Sequence, residues 1–241
     1  MLECRNCGAG APVDEHFCPQ CSRILALARH GDYFAFFGLP RKLLLDSQDL
    51  ERRFRDLSRK FHPDYFYNAS PAERVASLER SSYLNDAFRA LRNPITRIEH
   101  LLAIEGLASP KSEEGAATVP PSVLEEVFTL NEELDEIREL RESGDDPEAL
   151  RSRLKNARAP INRRRDEHER SLDELMAQWD RREGASTSDR HSTLEALRER
   201  ILERNYINNL LATIDREAAA IDAAVDLKLS TGDLKVSGYR E

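Results

Sequence analysis

Two groups of residues in this 241-residue chain have types and spacings suited to chemistry. Cys4-Arg-Asn-Cys7 and Cys18-Pro-Gln-Cys21 are two CxxC pairs separated by ten residues. Each pair forms a tight turn that aims two thiolates at one centre. Four thiolates complete the closed tetrahedral shell of a structural zinc ion, one per chain. Gly8 after the first pair, and Phe17 and Pro19 around Cys18, suit two facing knuckles. The intervening stretch is short for such a module but long enough for a small hairpin. No ligand position is left open, so catalysis at the metal is not expected; unligated or redox cysteines are the competing reading. His16 reads as a solvated loop histidine and not as a replacement ligand. The second group is His62-Pro63-Asp64, which combines a fixed backbone, a polar ring and a carboxylate able to pair with a cation. Nothing nearby supplies a nucleophile or substrate pocket for His62 as a general base, so an enzyme is not expected.

The elements that position the tripeptide follow from spacing. Tyr33, Phe34, Phe36 and Phe37 form an aromatic cluster on a short first helix ending near Gly38-Leu39-Pro40. Asp46 and Ser47 offer N-cap oxygens to a second helix. Along it Leu50, Phe54, Leu57 and Phe61 recur at steps of four, three and four, which defines an apolar face. Arg52, Arg55 and Arg59 line another face, with Arg53 and Lys60 beside them. This helix must stop at Phe61-His62-Pro63, because proline disfavours helical geometry in the residue before it. Ser70-Pro71-Ala72-Glu73 is a capping box with proline at the first helical position of a third helix. Its apolar positions Val75, Leu78, Leu84, Ala87, Phe88 and Leu91 are expected to pack antiparallel on the second. A fourth helix follows Pro94 and runs through Ile98, Leu101 and Leu102 to about Glu105.

The rest of the chain reads as a linker and three long helices. Ala108 to Pro121, rich in Ser, Gly, Ala and Pro, is the expected linker. Ser122-Val-Leu-Glu125 is another capping box and opens a helix to about Glu142. Gly144 to Pro147 breaks before a second helix over 147–182, which Pro160 should kink or interrupt. Gly184 to Asp189 breaks before a third over 191–228, and Thr231 to Glu241 is expected to fray or pair locally. Polar turns between long helices suggest an antiparallel three-helix bundle. On its first helix Val127, Leu130, Leu134 and Ile137 form the seam, whereas Leu124 and Phe128 point roughly 120° away. Large apolar groups there are either covered by a neighbouring helix or left for a partner. The predicted fold class is mostly α: a zinc-ribbon-like module over 1–25, a helical hairpin domain over 32–107, a linker over 108–121 and a three-helix domain over 122–230.

Composition limits the function classes. Charged residues make up 33% and aromatics 7%, which favours long surface helices over sheets. No apolar run approaches the roughly 18 residues a membrane span needs. The Met-Leu-Glu-Cys start shows no secretory leader, so a reducing cytoplasm is the expected compartment and metal ligation the expected use of the cysteines. Residues 1–107 carry a net charge of +1 and the remainder −9, which makes the acidic half a poor partner for nucleic acid or anionic membrane. Residues 1–32 hold three Arg against four acids, giving no phosphate-binding footprint.

The order short helix, basic helix, His-Pro-Asp loop, long helix resembles the J-domain family. Asp32-Tyr-Phe-Ala-Phe-Phe-Gly-Leu-Pro40 and Arg59-Lys-Phe-His-Pro-Asp64 are similar to its HscB branch, the co-chaperones dedicated to iron–sulfur cluster assembly. The resemblance implies that His62, Pro63 and Asp64 lodge against the ATPase lobe of a DnaK/HscA-type chaperone. Arg52, Arg55, Arg59 and Lys60 would steer that encounter toward an acidic surface. Leu124 to Ile137 looks like the HscB helix that binds the IscU scaffold. By that likeness Leu124 and Phe128 match apolar contacts, Glu132 an acidic one, and Tyr206 an aromatic one on the last helix. Glu125 departs from the apolar residue more frequent there in bacterial members. The N-terminal cysteine module resembles that of longer, eukaryotic-type relatives, and a homodimer is compatible with the sequence. Two other readings stand beside this one. A general J-protein would deliver unfolded clients, although an acidic three-helix domain replaces the Gly/Phe-rich segment such proteins carry. A zinc-ribbon nucleic-acid adaptor is the other.

Overall fold

Each CxxC pair is the tip of its own small hairpin in the computed structural model, which describes residues 1–27, 31–107, 124–181 and 187–236. Strands β1 (Leu2–Glu3) and β2 (Gly10–Ala11) pair antiparallel around the first, with Leu2 opposite Ala11. An isolated bridge from Phe17 to Ile24 brackets the second. The same two bonds recur in both turns. Cys4 N–H donates to Ala9 O and Cys18 N–H to Arg23 O, each at 2.8 Å, while Gly8 N–H and Ser22 N–H return to the Cys4 and Cys18 carbonyls. That geometry needs a left-handed residue after the second cysteine, met by Gly8 (φ 70°) and, at some steric cost, by Ser22 (φ 58°). The hairpins therefore surround the pairs, and the ten residues between them, though long enough for a hairpin, pair instead with the flanks of each turn.

Contacts divide the chain into two compact units, Met1–Ser109 with Leu175–Leu197, and Pro110–Glu174 with Arg198–Glu241. In the first, α1 (Tyr33–Phe36) buries Phe34 and Phe36, and Asp32 caps it by accepting from Ala35 N–H. Helix α2 (Ser47–Phe61) starts on Asp46, whose carboxylate accepts from Gln48 N–H, and buries Leu50 and Phe61, while Phe54 stacks on Phe88 at 4.2 Å. Helix α3 (Pro71–Arg92) begins with the predicted Ser70–Glu73 capping box, and α4 (Pro94–Ile104) buries Ile98, Leu101 and Leu102. The inward face of α3 differs from the expected one. It runs through Ala76, Ser77, Arg80, Leu84, Ala87 and Leu91, while Val75 and Leu78 are 53% and 58% exposed. The first half of this face is small or polar because the end of α2 and the cysteine module both approach it there.

In the second unit, α5 (Leu124–Ser143), α6 (Pro147–Arg181) and α7 (Thr187–Val236) supply one core. Leu130, Leu134 and Ile137 meet Leu150, Leu154 and Ile161, with Ile207, Leu211, Ile214 and Ile221 from α7. Ion pairs show the directions. Arg151–Asp222, Arg158–Asp215 and Arg164–Glu203 descend along α7 as they ascend α6, so these helices are antiparallel. Gly144 (φ 87°) ends α5, its N–H donating to Arg141 O and that of Asp145 to Leu140 O, a left-handed cap. Pro160 does not interrupt α6. It lies on the exposed side and removes only the helical donor to the Asn156 carbonyl, while Leu154 and Ile161 stay in the core. Helix α7 starts by Thr187 and continues through Val236, longer than the periodicity predicts at both ends. The predicted linker at 108–121, the Ser122 cap, residues 184–186 of the expected break and residues 237–241 lie outside the described residues, while 187–189 of that break are already helical.

The end of α6 and the start of α7 pack within the first unit. Trp179 is buried and donates from Nε1 to Arg41 O at 2.8 Å, under the Arg190 guanidinium. The Asp180 carboxylate accepts from Leu43 N–H at 2.7 Å and Leu44 N–H at 2.8 Å. These bonds fasten the segment between α1 and α2, where the donors would otherwise lack partners in the fold.

Candidate functional site

The His62-Pro63-Asp64 loop leaves the core abruptly. Phe61 is fully buried, and its carbonyl, one of the orphans at the end of α2, accepts from Ser77 Oγ at 2.6 Å and Ser81 Oγ at 2.9 Å. Phe61's ring is edged by His16 at 5.0 Å, stacked on Phe17 at 5.9 Å and faced by the Arg80 guanidinium at 5.7 Å. One residue later the chain is exposed. His62 caps a 3-10 turn over Pro63–Phe66, its Nδ1 accepting from Asp64 N–H at 3.3 Å. The Asp64 carboxylate is 86% exposed and lies 3.5 Å from the same nitrogen. Backbone and ring are thus tied to each other, while the carboxylate is presented outward, free to meet a cation.

The basic residues divide by role. Arg52, Arg55 and Arg59 are exposed and, among the described residues, make i,i+3 or i,i+4 pairs with Asp49, Glu51 and Asp56, the last two at 3.8 and 3.9 Å. Such surface pairs contribute little, so these side chains stay available to a partner. Lys60 is exposed as well. Arg53, by contrast, is structural. Its Nη1 donates to Phe37 O at 3.1 Å and Gly38 O at 3.3 Å, closing the turn after α1.

On α5, Leu124 and Phe128 are exposed, Phe128 by 62%, and Glu132 continues the row into solvent. The seam residues Leu130, Leu134 and Ile137 are buried and Val127 partly so. The strip is therefore uncovered among the described residues. Tyr206 is half-buried on α7 in the same unit.

The four cysteines converge. Their Sγ atoms all lie within 4.8 Å of one another, with Cys4–Cys21 at 3.7 Å and Cys7–Cys18 at 3.6 Å. A tetrahedral ion with metal–sulfur bonds of about 2.3 Å requires sulfur–sulfur edges of about 3.8 Å, so the set fits a divalent ion. The electrostatics agree. The Arg23 amide, against the effect of burial, pulls the Cys21 thiol down to about 6. Ala9's amide favours the Cys7 thiolate, yet burial and the three other sulfurs push that thiol up to about 12. Without a cation the fourth thiolate is disfavoured. We expect about one equivalent of metal per chain to survive extensive dialysis, measured by elemental analysis, and less than half an equivalent would contradict the site.

His16 is no solvated loop residue. It is part-buried, and Arg80 can only donate to its Nδ1, at 2.6 Å, which leaves Nε2–H to donate to Phe36 O at 3.0 Å. Burial first, and the Arg80 charge second, push its pKa down to about 4, so the ring is the neutral tautomer. Arg80, on α3, also donates to Leu25 O at 2.8 Å and to Glu15 O and Ala26 O at 3.2 Å each. Arg80, His16, Ser77 and Ser81 are the residues that sequence reasoning missed. The available signal was a polar run on α3 at the spacing of the buried face.

No protein-family model matches the chain. Solved structures do, and two of them show the likeness. The crystal structure of the human co-chaperone protein HscB superposes with a TM-score of 0.62 at 25% identity, covering 89% of this chain and 98% of that one. Chaperone HscB from Vibrio cholerae gives a TM-score of 0.53 at 24% identity, covering 79% of this chain and 99% of that one. No described helix is long and apolar enough to cross a membrane. A basic helix ending in an exposed His-Pro-Asp turn, a three-helix unit and almost complete coverage of both relatives agree: this chain has the HscB-type J-domain co-chaperone fold, with a tetracysteine cluster at its N-terminal end.

Proposed function

We propose that this chain is a co-chaperone of iron–sulfur cluster assembly. It docks a DnaK/HscA-type chaperone through His62-Pro63-Asp64, stimulates ATP hydrolysis there, and delivers an IscU-like scaffold held on α5. The chain acts on an ATPase and is not itself an enzyme. The observation that carries this reading is the outward carboxylate of Asp64, set one turn beyond a helix end that Ser77 and Ser81 fix in the core. Asp64 can accept charge-assisted hydrogen bonds from a cation of the ATPase lobe, while Arg52, Arg55, Arg59 and Lys60 raise the encounter rate with an acidic surface. Leu124 and Phe128 supply apolar anchors for the scaffold, Glu132 an acidic contact and Tyr206 an aromatic one. The cysteine cluster holds one structural zinc ion, and the compartment is the reducing cytoplasm, where the thiols stay available to metal.

A coupled ATPase assay tests this. A DnaK-type chaperone receives the chain alone, an IscU-like scaffold alone, or both. The chain alone is expected to raise turnover, and the pair to raise it more than additively. If a reduced, unfolded polypeptide replaced the scaffold with equal effect, the chain would be a general J-protein.

A further inference from the structure

The residue before His62 is held by groups that belong to the cysteine module. Phe61 touches His16 and Phe17 of that module directly, and Arg80 spans between them. The guanidinium of Arg80 is buried, and its acceptors are the carbonyls of Glu15, Leu25 and Ala26 with Nδ1 of His16. All four acceptors lie on the stretch that carries and follows the second CxxC turn. The Arg23–Glu73 ion pair, at 3.0 Å, also ties the module to α3 and does not touch this knot.

The module has little core of its own. Its buried apolar cluster is Cys4, Ala11, Cys18 and Leu25, two of them metal-site thiols. Segments this small depend on the bound ion for their fold. Once the ion is lost, the carbonyls that satisfy Arg80 are no longer fixed. A buried guanidinium cannot stay where it is without acceptors, so it must leave the Phe61 ring. The Ser77 and Ser81 hydroxyls still hold the Phe61 carbonyl, but the ring loses three of its neighbours, and the next residue is His62.

We propose that the tetracysteine module braces the His62-Pro63-Asp64 loop, with Arg80 and Phe17 as positioning residues that transmit metal occupancy to it. The functional consequence rests on the ATPase reading given above; the brace itself does not. It assigns the module a role in setting the loop of the J-domain-like unit, beyond its own fold.

The test uses the full chain, isotopically labelled, with backbone amide resonances of His62, Asp64 and Tyr65 as the readout. Chelation of the metal is expected to shift or broaden these resonances while circular dichroism keeps its helical signal. Arg80→Ala with metal bound should show the loop displaced already, and chelation should then add little. Phe17→Ala should shift the loop in the same direction and carries the test if Arg80→Ala fails to fold or chelation melts the helices. Arg23→Ala, which cuts only the surface pair, should leave the loop resonances unchanged. In the ATPase assay the stripped chain and both brace variants should need about fivefold more chain, or beyond, for half-maximal stimulation, the low end of usual coupling strengths. Loop resonances indifferent to chelation and to Phe17→Ala would overturn the brace. Displaced resonances without any stimulation by the loaded wild-type chain would leave the brace standing and remove the ATPase reading instead.

Discussion

Replacing Leu124 and Phe128 together by alanine is expected to weaken binding of an IscU-like scaffold by about a hundredfold or more while leaving the fold intact. Both side chains lie a turn apart on α5, both are exposed, and neither belongs to the bundle core. Buried in an interface, each would contribute roughly 1–3 kcal/mol, and central apolar anchors carry most of the energy of such contacts. In the free chain they meet mainly water, so their loss costs little stability. Leu134→Ala, one of the buried seam positions, is the matched opposite. It should cost about 2–5 kcal/mol of stability by opening a cavity. Calorimetric titration beside thermal denaturation separates the two effects. A double mutant that melts much earlier, yet binds as well as wild type, would remove the docking strip.

Asp64→Asn should bring ATPase stimulation down to the unstimulated rate. The substitution keeps the shape of the side chain and leaves the Asp64 N–H on His62 Nδ1, so the turn over Pro63–Phe66 is retained. What changes is the charge of an exposed carboxylate whose described side-chain neighbour is His62. Truncating or neutralising one partner of a desolvated charge pair typically costs about 2–5 kcal/mol of binding, enough to empty the complex at micromolar concentrations. Circular dichroism serves as the folding control. Stimulation by a folded Asp64→Asn chain at wild-type strength would mean that the carboxylate is not the trigger. Arg59→Ala should act more mildly and more strongly at low salt, since it changes steering and not the buried contact.

Much of this architecture was legible because local signals agreed with the fold. The two CxxC pairs, the Ser70–Glu73 box and the proline after His62 each have one inexpensive structural solution, and the structure adopts it. The seam of α5 was readable for a similar reason, since its spacing matches one helical face. Arg80 shows where reading from periodicity ends. A charged residue on α3 looks like a surface position until four acceptors from 65 to 54 residues upstream are brought to it. Because it occupies the inward face, Val75 and Leu78 looked like core and are not. His16 escaped for the same reason, being a polar ring whose burial depends on Phe36 and Phe61. Trp179 and Asp180 sit at the end of a long helix with nothing local to say that their partners are Arg41, Leu43 and Leu44. Pro160 erred the other way, since a strong helix breaker was outweighed by apolar contacts on either side.

We propose that the exposed tripeptide drives hydrolysis by a partner ATPase. Single-turnover ATP hydrolysis by a DnaK-type chaperone, followed while the metal-loaded full chain is titrated, measures it most directly. The predicted result is a saturable acceleration that Asp64→Asn abolishes and that a scaffold protein enhances at limiting chain. A flat response from a folded, metal-loaded chain would contradict the account.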